Sequence, residues 1–144
     1  MKITVLGSAA AEAIPALWCE CETCATARER GGKDVRRRTS YWIDDDTLVD
    51  FGPDAFWQTT AFNVDLRKIR RIVFTHRHSD HLNPLELAWR RDWFSVVTKP
   101  LDIFASRPVF IRLVKEIAAE GAAFQLEELR IVPHLLQHGK LAED

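Results

Sequence analysis

The segment His76-Arg77-His78-Ser79-Asp80-His81, placed directly after the apolar run Ile72-Val73-Phe74, constrains this chain more than any other part of it. Three imidazoles and one carboxylate within six residues act together only on a rigid turn at the end of a buried strand. Neutral imidazole is the commonest metal ligand, and a carboxylate beside it suits zinc, iron or manganese. In an extended or tightly turning segment His76 and His78 share a face, because side chains two apart point the same way. Asp80 and His81 then fall in the turn and reach towards a second ion. A polar loop with incidental histidines does not account for this density of ligands. The segment reads as a metal site.

Immediately after the cluster the residues read as a helix start. Asn83 suits the N-cap, Pro84 the first helical position, and Glu86 falls three residues after the cap. Leu85, Ala88 and Trp89 would mark its apolar face. Upstream, Lys2 to Leu6 reads as a first strand that stops at Gly7-Ser8. Ser40 to Ile43 and Thr47 to Val49 flank Asp44-Asp45-Asp46 and predict a β-hairpin. Asp50 to Asp54 reads as a loop opening towards Ala55 to Gln58, and Arg70 to Thr75 as the buried strand feeding the histidines. The stretch from Ala9 to Thr39 has no strong periodicity. Downstream come a short strand over Leu101 to Phe104, and a helix from Ser106 with an apolar stripe of Phe110, Leu113, Val114 and Ile117 that stops at Gly121. Leu129 to Val132 reads as a last strand. Strands alternating with helices predict a mixed α/β layer architecture.

Length and composition exclude several classes. A chain of 144 residues is one domain by length, 1–144, with enough residues for a core. A net charge of −1 supplies no field that would draw it to nucleic acid or a membrane surface. The apolar opening, Ile3 to Leu6, is too short for a signal peptide or a membrane span. Three cysteines, an odd number, argue against a disulfide framework, so a cytoplasmic location is expected. Cys19, Cys21 and Cys24 have spacing suited to a structural zinc held by three thiolates and one further ligand; three reduced, unligated thiols are the alternative. Arg36-Arg37-Arg38 and the Arg67, Lys68, Arg70, Arg71 group read first as a solvated face, with steering of an anionic substrate as the alternative. The tryptophans (Trp18, Trp42, Trp57, Trp89, Trp93) read as core and rim packing.

His-x-His-x-Asp-His after an apolar strand resembles the signature of the metallo-β-lactamase superfamily of dinuclear metal hydrolases. Leu6-Gly7-Ser8 looks like the opening strand and glycine turn of that family, and Asp50-x-Gly52-Pro53-Asp54 like its aspartate-glycine motif. Arg38-Thr39-Ser40 and Cys19-x-Cys21-x-x-Cys24 are similar to one branch of it, which holds the cyclic-phosphate phosphodiesterase of the carbon–phosphorus-lyase pathway and the B protein of pyrroloquinoline quinone biosynthesis. The resemblance runs from Lys2 to about Gly139. It implies an αββα sandwich, here looking like the N-terminal half plus part of the second sheet. The bridging aspartate and final histidine of the family pattern do not occur in this sequence.

That resemblance also implies roles. His76 and His78 would bind a first metal with a third histidine, for which His138 is favoured and His134 is the competitor. Asp80, the candidate catalytic residue, would hold a second metal with His81, and Asp50 would accept the distal N–H of a ligating histidine or else be a turn aspartate capping local backbone. The ions would be two catalytic zincs, with manganese or iron as alternatives, plus one structural zinc at the cysteines, whose fourth ligand in the resembling branch is a histidine this chain lacks. The activity implied is that of a hydrolase using metal-bound hydroxide, with a small phosphodiester or cyclic phosphate as substrate. The alternatives are a catalytically impaired metal-binding remnant, and an RNA-processing endonuclease of the same superfamily, for which no basic surface or substrate-binding arm is visible. A half-sandwich would expose apolar sheet, so self-association into a homo-oligomer is expected.

Overall fold

The computed structural model describes residues 1–119 and 125–136. Its centre is a six-stranded sheet whose strands lie side by side in chain order. These are β1 (Ile3–Gly7), β2 (Ser40–Ile43), β3 (Thr47–Val49), β4 (Arg71–Val73), β5 (Leu101–Ala105) and β6 (Ile131–Leu135). β1, β2 and β3 run antiparallel, while β3 to β6 run parallel. The hairpin between β2 and β3 turns at Asp44 and Asp45, both with positive φ (43° and 64°), a conformation aspartate tolerates better than most residues.

The helices are α1 (Glu22–Arg30), α2 (Ala55–Ala61), α3 (Pro84–Ala88) and α4 (Arg107–Ala119). Strand register puts Leu48, Ile72 and Ile103 in one row and Leu101 beside Ile131. All are buried in a single core with Val109, Leu113 and Ile117 of α4 and Leu87 of α3. The other face of the same sheet carries Ile3, Val5, Ile43, Val49, Val73, Phe104 and Val132, none of which belongs to that core. Ile3 and Val5, on the antiparallel side of the sheet, are about half exposed (52% and 50%). The α/β reading and the likeness to half of a sandwich both hold.

Several expectations need correction. α1 lies in the stretch read as irregular; only Cys24 and Ala27 of it are buried, so its sequence carries almost no apolar period. The loop over 50–54 is present and leads into α2, a helix the sequence reading did not assign. On α3, Pro84 and Leu87 face inward while Leu85 and Trp89 stay partly exposed, because the short helix packs through its first turn. On α4 the inner stripe is Val109, Leu113 and Ile117, and Val114 turns outward. Gly121 lies outside the described residues. Leu129 belongs to a 3₁₀ turn (Leu126–Leu129), and Arg130 at φ 52° delays the last strand to Ile131. Pro133 fits inside β6 because that strand is at the sheet edge, where a missing N–H costs no ladder bond. Trp18 and Trp93 are not packed in the core, being 95% and 86% exposed.

The uncovered face generates a direct expectation. Sedimentation of the isolated chain should show self-association, and Val49→Asp with Val73→Asp should shift it towards monomer. A clean wild-type monomer with cooperative melting would contradict this.

Candidate metal centre

The site forms where the ends of β3 and β4 meet. The backbone N–H of Asp50 donates to Val73 O (2.9 Å), which extends the β3–β4 pairing by one residue. Asp50 then turns at φ 62° and buries its carboxylate, leaving 1% of the residue exposed. Burying a carboxylate is costly unless it is hydrogen-bonded, and this one is. Oδ1 accepts from the Thr75 N–H (2.8 Å), the Thr75 hydroxyl lies 2.9 Å from Oδ2, and His81 Nδ1 lies 2.6 Å from Oδ2. The turn itself is closed by His81 N–H and Leu82 N–H donating to His78 O (3.1 and 3.0 Å). Phe51 N–H donates to His81 O, and Asn83 N–H to Phe51 O, lacing the turn to the loop after β3. Only glycine fits at position 52, where an added Cβ would stand 2.1 Å from the Asp80 carbonyl oxygen.

These contacts decide which ring atoms face outward. A carboxylate acceptor on Nδ1 of a neutral His81 keeps the proton there and leaves Nε2 as a lone-pair donor. Thr75 has one hydroxyl proton, which goes to Asp50, so its oxygen accepts from His76 Nδ1 (3.0 Å) and leaves His76 Nε2 unprotonated too. His76 Nε2 faces His78 Nδ1 at 3.1 Å, and Asp80 Oδ2 faces His81 Nε2 at 3.1 Å. Ligands roughly 2.0–2.1 Å from a tetrahedral zinc stand about 3.3 Å apart. Both pairs therefore match the edge of a metal coordination shell. Donor atoms of His76, Asp80 and His81 all lie within 4.8 Å of one another. Burial, reinforced by the charges of His81 and His78, holds His76 below the ordinary imidazole range, which favours the metal-binding neutral form. The donor set fits one or two metal ions.

The sulfur atoms of Cys19, Cys21 and Cys24 also lie within 4.8 Å of one another. Arg28, in the last turn of α1, donates to Cys19 O and Ala16 O (2.7 Å each) and fixes this loop. The Cys24 backbone N–H, aided by the neighbouring thiols, pulls the Cys21 thiol down. The Cys21 backbone N–H pulls Cys19 down too, but the Cys21 and Cys24 thiols outweigh it and Cys19 ends up raised.

Other residues stand apart from the metal cluster. His134 pairs with Asp102 (Nε2 to Oδ1, 2.7 Å) and stacks on Phe104 at 4.4 Å. His138 lies outside the described residues. Asp54 is bound to Arg38, accepting from its backbone N–H (2.9 Å) and from Nη1 (2.8 Å), so Arg38 does not belong to a freely solvated face. Thr75 is a functional residue that sequence reasoning misses; its position directly before the first histidine is the one signal that could have found it. A larger cavity of about 610 Å³ borders Ile69, Ile72, Leu87, Lys99 and Leu101, towards the opposite strand ends, and none of the candidate ligands lines it.

The sequence model of the metallo-beta-lactamase superfamily matches residues 34–135. The chain belongs to the metallo-β-lactamase superfamily. Among solved structures, this superfamily domain superposes on a diphosphatase from the PhnP family with TM-score 0.67 and 23% identity, covering 98% of this chain and 52% of that one. Zinc-bound PqqB from Methylobacterium extorquens gives TM-score 0.67 and 20% identity, covering 93% and 45%. The short form of human tRNase Z gives 0.61 and 20%, covering 94% and 45%. An octanoyltransferase of Porphyromonas gingivalis is 25% identical over 98% of this chain and 32% of its own length. The chain thus spans about half of these structural relatives and a third of the curated one, and the likeness to the structures establishes the fold.

Asp50→Asn tests how the rings are oriented. The amide would keep the Thr75 contacts but present N–H to His81 Nδ1, forcing the proton to Nε2. Metal affinity, read by competition with a chromogenic chelator, should fall by roughly 10–100-fold while the chain stays folded. Unchanged affinity would refute the tautomer argument.

Proposed function

We propose that this chain carries the metal-binding part of a hydrolase that cleaves a small or cyclic phosphodiester at a two-metal site. The observation that carries the reading is the pair of ligand edges, His76–His78 and Asp80–His81, each at 3.1 Å, with the ring protons of His76 and His81 directed away. His76 and His78 would hold one ion with His138 as the third ligand, and Asp80 with His81 the other. When bound, such ions lower the pKa of a water and neutralise charge developing on phosphoryl oxygens. The protein's part is to hold the donors rigidly: Asp50 and Thr75 set the two tautomers, and the close approach of Gly52 to Asp80 locks the turn. The phosphodiester preference rests on likeness to the phosphodiesterase branch, and the diphosphatase and tRNase Z among the structural relatives agree with a phosphorus substrate. The cysteine trio would hold a structural zinc. A cytoplasmic location remains part of this proposal, and no described helix is long and apolar enough to cross a membrane.

One observation favours a second reading, metal binding without turnover. Among the described residues the histidine-containing group of donors within 4.8 Å of one another is His76, Asp80 and His81, a single set that leaves out His78.

Elemental analysis of protein purified without chelator separates these readings. At least roughly two metals per chain are expected. His78→Ala should lose the histidine-bound metal and Cys21→Ala only the cysteine-bound one. Hydrolysis of bis(4-nitrophenyl) phosphate by the wild type but not by His78→Ala would support the enzyme reading. Full metal content without turnover would favour the second reading. Metal lost only in Cys21→Ala would overturn both.

A further inference from the structure

A smaller cavity of about 260 Å³ opens beside Asp80, and its lining includes Arg38, Ser79, Asn83, Arg112 and Glu116. Its two guanidinium groups come from separate parts of the chain, one just before β2 and the other midway along α4. Each is anchored on part of its donor set. Arg38 donates Nε–H to Ala11 O (2.8 Å) and Nη1–H to Asp54 Oδ1 (2.8 Å). Arg112 donates Nε–H to Glu116 and Nη1–H to the carbonyl of Arg77, inside the histidine turn itself. In both residues Nη2 makes no hydrogen bond among the described residues. Their side chains are only 22% and 25% exposed, so each fork is held in place and partly shielded from water. Asn83 also makes no side-chain cap bond, although it stands at the N-cap of α3.

We propose that this cavity receives a phosphoryl group of the substrate, gripped by the remaining N–H groups of Arg38 and Arg112 next to the metal ligand Asp80. The proposal rests on the phosphodiester reading above and adds the residues that would select for it. Charge bookkeeping alone does not favour an anion here, since Asp54 and Glu116 balance the two arginines. Direction does. A guanidinium already fixed at Nε and Nη1 loses little freedom when its last donors bind, and charge-assisted hydrogen bonds to phosphate are strong. Donors arriving from two elements suit a tetrahedral group, which offers oxygens to both at once, better than a planar carboxylate. The Asp80 charge, which would repel an anion, is offset once that side chain binds a cation.

The test is calorimetric titration of inorganic phosphate into the protein as purified, with metal content measured alongside. Wild type should bind phosphate. Arg112→Gln should bind about 10-fold more weakly, and Arg112→Lys should fall between, because it restores charge without the fork. No binding by the wild type, or equal affinity in Arg112→Gln with its metal intact, would overturn the proposal. Arg112 also holds the Arg77 carbonyl, so a metal-depleted Arg112→Gln passes the decision to Arg38→Lys. Several-fold weaker phosphate binding there supports the clamp, and unchanged affinity overturns it. The hydrolase reading fails separately: phosphate binding that depends on these arginines, in a protein with no phosphodiester turnover, leaves the clamp standing. Normal turnover with arginine-independent phosphate affinity sinks the clamp alone.

Discussion

A single buried carboxylate organises the site. Asp50 ends β3 in a left-handed conformation and places its oxygens against Thr75 and His81, one on each side of the histidine turn. Because the group is shielded from water, its contacts are stronger than the same contacts would be at the surface, and losing any one leaves a buried charge less well compensated. The turn after β4 is therefore held from beneath by β3 rather than by its own local bonds alone. Gly52 completes the arrangement, since any side chain there would push the Asp80 backbone away.

The sheet supplies the platform in a way the parallel connections dictate. β3, β4, β5 and β6 run the same way, so the loops leaving their C-terminal ends gather on one edge, where ligands of open α/β sheets ordinarily bind. The loops 50–54 and 75–83 are two such segments. α2, α3 and α4 contribute buried residues to the core on one face. The other face keeps a band of β-branched and aromatic side chains from all six strands, from Ile3 to Val132, which has the composition of an interior surface. The chain spans about half of its structural relatives, and this band is where a second layer would be placed by the sandwich geometry of the superfamily.

Legibility in the sequence depends on how local each signal is. The histidine cluster, the Asp44-Asp45-Asp46 hairpin and the Asn83-Pro84 helix start each draw on neighbouring residues, and each is readable. α1 and α2 are not, because helices that bury only two or three small or polar side chains leave no apolar period. The inner face of α4 is mostly readable, except that Val109, five residues earlier, is buried where Val114 was expected. Arg38 looks like one charge in a basic run, since nothing in the sequence reveals that Asp54, sixteen residues on, is its partner. His134 and His138 cannot be separated by spacing. In the structure His134 is occupied by Asp102, a contact across two strands that sequence order does not disclose.

Arg112 connects the outer layer to the chemistry. It lies on α4, a helix whose inner stripe is buried against the central strands, yet its side chain reaches across to the carbonyl of Arg77 between the first two histidines. The histidine turn is thus braced from two directions, by a carboxylate beneath it and a guanidinium beside it. A brace from the sheet alone would leave the turn free to tilt about the β3–β4 pairing. The second contact restrains that tilt, so packing of α4 onto the core bears on the spacing of the candidate metal ligands. A change that loosens α4 would reach the ligand geometry without touching a ligand, through a single hydrogen bond.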